Sequence, residues 1–291
     1  MLWKEEYKIG VPKIDEQHRA LFDAVEKLLS TLPKGNESFL KSECLTTIKF
    51  LKEYTLQHFR DEERYLRSIH YVGYEYHKKQ HDDFINTVLE YEKDFRARNY
   101  DMGLMKDFIG TLLTWLVYHV EGFDQMIVTG ATLPLNDPDI GFDTYFESAI
   151  TKTYQKLLFG NATKVKENIY RSRVVGDVFS SVRFTGSYEG CVVFAFSQKM
   201  AIEILCSMSN MDFENLDEMV ISIISKFTGI ICNTTAAELT QKDSICSAKR
   251  PVVTKGNFDK SVCDFHNGKT IFIKTPIGIC EILIKVVKKE V

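Results

Sequence analysis

No stretch of the 291-residue chain approaches the roughly 18 consecutive apolar residues that a membrane-spanning helix needs. The first residues, Met1-Leu2-Trp3-Lys4-Glu5-Glu6, turn charged at once and offer no apolar signal core. Net charge is scarce as well: 37 Lys and Arg against 40 Asp and Glu leave −3. Residues 1–130 carry −4 (18 basic against 22 acidic), so the remainder carries +1. Neither half has the basic surplus of a nucleic-acid or anionic-membrane binder. Cys-x-x-Cys is missing too, which excludes a zinc ribbon or a thioredoxin-type motif. The seven scattered cysteines read as reduced core thiols of a cytoplasmic protein. Internal repeats and low-complexity segments are absent.

What is present fits a soluble globular protein: 44% of residues are apolar and 26% charged. The length suits about two domains. Six of the seven histidines (His18, His58, His70, His77, His81 and His119) lie in the first 119 residues, whereas six of the seven cysteines follow residue 190. That asymmetry predicts two modules of different chemistry.

The first half reads as four long helices. One spans about Lys13 to Leu32 with Leu21, Val25, Leu28 and Leu29 on one stripe, and stops at Pro33-Lys34-Gly35-Asn36. A second runs from near Ser38 to Ile69 with Leu45, Ile48, Leu51 and Leu56 toward the core. The third covers roughly Tyr74 to Arg98, and the fourth follows the 99–103 loop to about Val128. Short connections between long helices predict an antiparallel four-helix bundle over residues 1–130. Gly130, Pro134, Asn136-Asp137-Pro138 and Gly141 mark a linker over 131–164, with a short helix expected around Tyr154–Phe159.

The pattern then changes. Val174 to Phe184 and Cys191 to Phe196 read as strands joined by a hairpin at Gly186–Gly190. Ser197 is expected to cap a helix through Met208, and Asn215 a longer one through about Leu239. Strands resume at Val252-Val253, Thr270 to Lys274 and Ile279 to Val287, the last two joined at Pro276-Ile277-Gly278. Residues 165–291 are therefore predicted as an α+β domain with an antiparallel sheet and two helices. Phe194 and Phe196 have the spacing of core strand residues, His266 beside Cys263 and Asp264 reads as a surface loop, and Lys285, Lys288 and Lys289 as a solvated strand end.

His58 and Glu62 stand four apart on the second helix, as do His77 and His81 on the third, so each pair shares a helix face. His18 lies on the first helix, and His119 with Asp124 on the fourth. Five imidazoles and two carboxylates suit two metal ions, with ligation appropriate to iron. The His119–Asp124 spacing is awkward, because five α-helical positions turn a side chain about 140° from the first. Asp124 reaches such a site only where the helix widens or ends. His70 belongs to no pair and reads as structural or surface. A ferritin-like carboxylate oxidase needs Glu-x-x-His on two helices, and none occurs before residue 130.

Trp3, Tyr7, the run Ile9-Gly10-Val11-Pro12-Lys13-Ile14-Asp15-Glu16-Gln17-His18, His58-Phe59 with Glu62-Glu63, Tyr71 before His77-x-x-x-His81, and Trp115-Leu116-x-x-His119 with Asp124 together resemble the bacterial hemerythrins. Val72 departs from the proline frequent in that family, at no ligand position. The resemblance implies a non-haem di-iron site bridged by an oxo or hydroxo group. His77, His81 and His119 would hold one iron, His18 and His58 the other, and Glu62 and Asp124 would bridge them. O2 would bind at the two-histidine iron, with Phe59, Trp115 and Leu116 lining an apolar pocket.

The C-terminal half resembles the CheX-like chemotaxis phosphatases in element order and in the run Gly229–Leu239. Active members present Glu-x-x-Asn on a long helix, and the best register here places Lys226 and Gly229 at those positions. The resemblance thus implies a module without phosphatase activity, serving as a homodimerisation surface or docking a response regulator or other chemotaxis protein. An oxygen sensor is the reading expected. An oxygen-gated phosphatase of response regulators and a simple oxygen or iron carrier are the alternatives.

Overall fold

The computed structural model describes residues 2–32, 37–129, 141–158, 162–165, 176–240, 245–256 and 268–289. Residues 33–36, Gly130, Pro134, 136–138, Phe159, Val174, Cys263, Asp264 and His266, invoked above, lie outside them. The chain divides into two compact units, one of residues 1–133 and 208–210 and one of residues 134–207 and 211–291.

The first unit is an antiparallel four-helix bundle. Helix α1 (Pro12–Leu29) begins with proline at its first turn, where the missing N–H is not needed. Helices α2 (Glu37–Ser68), α3 (Tyr74–Ala97) and α4 (Met102–Tyr118) follow. Asp101 caps α4 by accepting from the Leu104 amide at 2.9 Å. A π-helical turn (His119–Asp124) and the short α5 (Gln125–Thr129) continue α4.

The predicted stripe of α1 is buried in full, and so are Ile48 and Leu51. Leu45 and Leu56 correct the expectation for α2, each being 42% exposed. The inward face of α2 instead runs Cys44, Ile48, Leu51, Thr55, Phe59, Glu62, Leu66. Leu45 and Leu56 each follow a member of that row by one residue, about 100° around the helix.

The second unit is α+β. Helix α6 (Phe142–Leu158) precedes β1 (Thr163–Lys164), β2 (Val178–Gly186), β3 (Tyr188–Phe196), α7 (Gln198–Ser209), α8 (Glu218–Leu239), β4 (Cys246–Ala248), β5 (Val252–Lys255), β6 (Lys269–Thr275) and β7 (Gly278–Lys288). The strands form one antiparallel sheet of order β1-β6-β7-β3-β2, with β4 and β5 both pairing with β2. The β2–β3 hairpin turns at Ser187. Gly186 has φ +107°, and a Cβ there would lie 1.9 Å from the Ile245 carbonyl oxygen, so only glycine fits.

Helices α6 and α8 pack on the sheet face of Phe184 and Phe194: Phe142 sits edge-on to Phe184 (5.1 Å), Phe146 lies 6.0 Å from Phe194, and Thr228 bonds Ser180 at 2.6 Å. Phe194 and Phe196 are fully buried, as expected. The helix anticipated around Tyr154 is longer than expected, because that segment is the end of α6. Ser197 caps α7 as expected, but Asp217 rather than Asn215 caps α8, its carboxylate accepting from the Met219 and Val220 amides. Among the described helices, α8 has the length and apolarity of a membrane span, and 67% of its most apolar window is buried inside the unit. Five of the six described cysteines are buried and none is disulfide-bonded.

Glu238, at the end of α8, is buried with Lys152 Nζ 3.3 Å from Oε1 and no partner for Oε2. Burial raises its pKa against the opposing pull of Lys152. A raised carboxyl pKa means the folded state holds the proton more tightly, so this group's stabilisation is present at low pH and lost as pH rises through the folded value. Glu238→Gln is expected to raise stability at neutral pH by about 1 kcal/mol and to change little in acid, as read by denaturant unfolding at both pH values.

Candidate metal centre

The bundle topology alone gathers the histidines. His18 lies in the first half of α1, His58 and Glu62 in the last third of α2, His77 and His81 at the start of α3, and His119 just past α4. Antiparallel neighbours bring those four places to one level. Seven side chains meet there: His18, His58, Glu62, His77, His81, His119 and Asp124, each no more than 2% exposed.

Two clusters share Glu62. His77, His81, His119 and Glu62 bring ligand atoms within 4.8 Å of one another, and so do His18, His58 and Glu62. Every imidazole presents Nε2. Glu62 Oε2 lies 3.1 Å from His81, 3.4 Å from His77 and 3.8 Å from His58, and Oε1 lies 3.9 Å from His18. Asp124 also spans both groups, with Oδ2 3.2 Å from His18 and Oδ1 3.3 Å from His119 and 3.5 Å from His77.

Asp124 arrives through the π-helical turn. Wider i→i+5 bonding over His119–Asp124 brings the fifth residue back over the first, where an α-helix would carry it away. This is the local widening that the five-residue spacing demanded. His70, by contrast, is exposed and outside the cluster.

The electrostatics are those of a site built for cations. Burial holds His18 and His119 below the usual imidazole range and pushes His58 down to about 3. His81 is the exception: burial opposes its charge, but hydrogen bonds to Glu62 and Glu63 outweigh it and lift the group to about 9. Burial likewise opposes charge on Glu62, yet His77 and His81 hold it below the carboxylate range. Asp124 is pushed up by burial and by the charge of Glu62.

Both nitrogens of His18, both oxygens of Asp124, Glu62 Oε1, His77 Nδ1 and His119 Nδ1 are buried without a hydrogen-bond partner. His81 and His119 point Nε2 atoms at each other across 3.1 Å. Buried polar atoms normally find partners. The Nε2 and carboxylate lone pairs, which converge at the cluster, fit divalent iron.

Aromatic rings wall the cluster. Phe59 stacks on His81 at 3.8 Å and Trp115 on His119 at 4.4 Å. Leu116 and Trp115 line a cavity of about 10 Å³ with Leu21, Val25, Leu51, Thr55, Phe84 and Leu112, large enough for one water-sized molecule.

Sequence reasoning missed Gln17 and Glu63 as partners of the histidines, and Asp61 as the partner of Gln17. His58 Nδ1 lies 3.3 Å from Gln17 Oε1, and His81 Nδ1 lies 3.2 Å from Glu63 Oε1. Gln17 and Glu63 adjoin ligands in the chain, but nothing in the sequence shows which way a polar helical side chain turns.

A four-helix bundle with two histidine–carboxylate clusters sharing a glutamate defines the class: a helical protein with a candidate binuclear metal centre. Residues 9–129 match the profile of the hemerythrin HHE cation binding domain. The bacteriohemerythrin of Clostridium acetobutylicum is 34% identical over 127 residues, covering 43% of this chain and 95% of the relative. The myohemerythrin of Theromyzon tessulatum is 30% identical over 122 residues, covering 42% and 86%. The chain belongs to the hemerythrin family.

Residues 178–270 match the profile of the chemotaxis phosphatase CheX. Two solved structures overlay on half of the chain. CheX from Vibrio vulnificus is 19% identical, with TM-score 0.43, and covers 51% of this chain and 97% of its own. The CheX-CheY-BeF3-Mg+2 complex from Borrelia burgdorferi is 17% identical, with TM-score 0.44, and covers 51% and 99%.

Proposed function

We propose that the first unit holds a non-haem di-iron centre that binds O2 reversibly, and that the chain is an oxygen sensor whose second unit meets a signalling partner. His77, His81 and His119 would hold one iron and His18 with His58 the other, Glu62 and Asp124 bridging the two with a solvent-derived oxo or hydroxo group. The observation that carries this reading is that both carboxylates lie against histidines of both clusters. Iron held by that set would supply the electrons for reversible O2 binding.

The chain's own residues do the rest. Phe59 and Trp115 lock two imidazole planes by stacking. Leu116, Trp115 and the cavity wall offer an apolar space suited to an uncharged diatomic gas and unfavourable to water. Leu116→Ala is expected to leave iron content unchanged and to speed autoxidation severalfold by admitting water, followed as the decay of the oxygenated spectrum in air-saturated buffer. An unchanged decay rate would remove Leu116 from the pocket.

For the second unit we propose docking, of a phosphorylated response regulator or another chemotaxis protein, or of a second copy of the chain as a homodimer. The profile match over 178–270 supports this reading. One observation weighs against phosphatase chemistry: a Cβ at Gly229 would meet Pro251 at 3.2 Å. The place where the resemblance requires an asparagine amide is thus covered by a proline ring. We further propose two functional domains, 1–130 and 165–291, with the described part of 131–164 contributing α6, in a cytoplasmic protein. Hydrogen exchange over residues 178–270, compared in deoxygenated and oxygenated full chain, tests the sensor. Altered protection is expected, and identical protection would reduce the chain to a carrier with a passive attachment.

A further inference from the structure

Asp61, Glu62 and Glu63 are consecutive on α2, and successive helical residues point about 100° apart. Glu62 faces the cluster. Asp61 turns toward α1 and takes four donors, two from α1 (Lys13 Nζ at 2.8 Å and Gln17 Nε2 at 2.9 Å) and two from its own helix (Gln57 Nε2 at 3.0 Å and Arg64 at 3.3 Å). Its side chain is only 4% exposed, although Lys13 and Arg64 reach it from the surface. Glu63 turns toward α3 and lies 3.2 Å from His81 Nδ1.

Gln17 links Asp61 to the cluster. Its amide nitrogen is held by Asp61, so its carbonyl oxygen is presented to His58 Nδ1 at 3.3 Å. A rotated amide would set two donors against His58 and a carbonyl against a carboxylate. The Asp61 clamp therefore fixes which end of Gln17 meets the imidazole.

We propose that Asp61, acting through Gln17, and Glu63 are positioning residues, one for each metal position. Asp61 and Gln17 fix His58 as the Nδ1–H tautomer, leaving Nε2 free for the two-histidine position. Glu63 does the same for His81 at the three-histidine position. The partners differ in kind: His58 donates to a neutral amide and His81 to a carboxylate. The carboxylate makes His81 the more basic donor, so the two positions differ in donor strength beyond their histidine count. This inference rests on the ligand set proposed above.

The test is binding of zinc, a diamagnetic probe, to the metal-free full chain, with 15N–1H spectra of the histidine side chains. Two ions per chain and slowly exchanging Nδ1 protons on His58 and His81 are expected for the native chain. Gln17→Leu should weaken one binding phase about ten- to a hundredfold and expose only the His58 proton to exchange. Glu63→Leu should weaken the other phase and expose only the His81 proton. Glu63→Gln, which keeps a carbonyl acceptor, should restore the protected His81 proton. Failure of the native chain to bind zinc would overturn the ligand set itself. Two tight phases with equally fast Nδ1 exchange in native chain and variants would overturn the positioning roles alone.

Discussion

Glu62→Ala is expected to empty both metal positions at once. Its two oxygens lie within 3.9 Å of four histidines drawn from both clusters, and both clusters include it. Asp124, the other carboxylate, also lies against histidines of both clusters, but it touches three imidazoles where Glu62 touches four. Loss of Glu62 also strips one of two carboxylates from the fully buried space proposed for two dications, where water cannot substitute. Removing a partner that only orients a ligand costs about ten- to a hundredfold in metal affinity, so losing a shared ligand should cost more at each position. Glu62→Gln separates charge from shape and should fail nearly as badly. His77→Ala or His81→Ala, by contrast, should cost the three-histidine position and spare the other. Iron per chain, measured after anaerobic loading, checks all four variants.

The second large effect is on stability. Without metal, the bundle carries in its interior an Asp124 whose charge is opposed by burial and by Glu62, imidazoles of His18, His58 and His119 whose charge is opposed by burial, and several polar atoms with no partner. Each unpartnered group costs about 1–3 kcal/mol relative to water. Metal binds only where the seven side chains are assembled, so loading stabilises the fold by mass action, about 4 kcal/mol at a thousandfold excess over Kd. For a bundle of this size that corresponds to a rise in melting temperature of about 10–20 °C. The chain's two tryptophans, Trp3 and Trp115, both lie in the first unit, so their fluorescence reports the bundle without interference. A chelator that left this transition unmoved would mean the buried groups are satisfied in some other way.

The parts of the site legible in the sequence were those carried by helical periodicity. Pairs four apart, His58/Glu62 and His77/His81, needed only a regular helix to share a face. The five-residue gap from His119 to Asp124 was readable as a demand on the backbone, and the π-helical turn meets it. Periodicity failed where neighbours compete for one face: Leu45 and Leu56 are as apolar as Ile48 and Leu51, yet they sit one residue off the buried row. It was silent on Gln17, Asp61 and Glu63, because a buried polar clamp and a solvated charge share one alphabet. In the second unit the long strands carried their own β-rich signal. The two-residue β1 and three-residue β4 are too short to show one, and depend on partners far along the chain. Asp217 displaced Asn215 as cap because α8 begins later than its apolar run suggests.

Five imidazoles and two carboxylates converge in one buried centre, proposed above to hold iron and to bind O2. Anaerobic loading of the full chain with ferrous iron, followed by metal analysis and an optical spectrum before and after air, tests this most directly. Two ions per chain, one for each cluster, and a visible band that appears with O2 and fades when it is removed are the expected result. A folded bundle that stays colourless and metal-free under the same loading would contradict it.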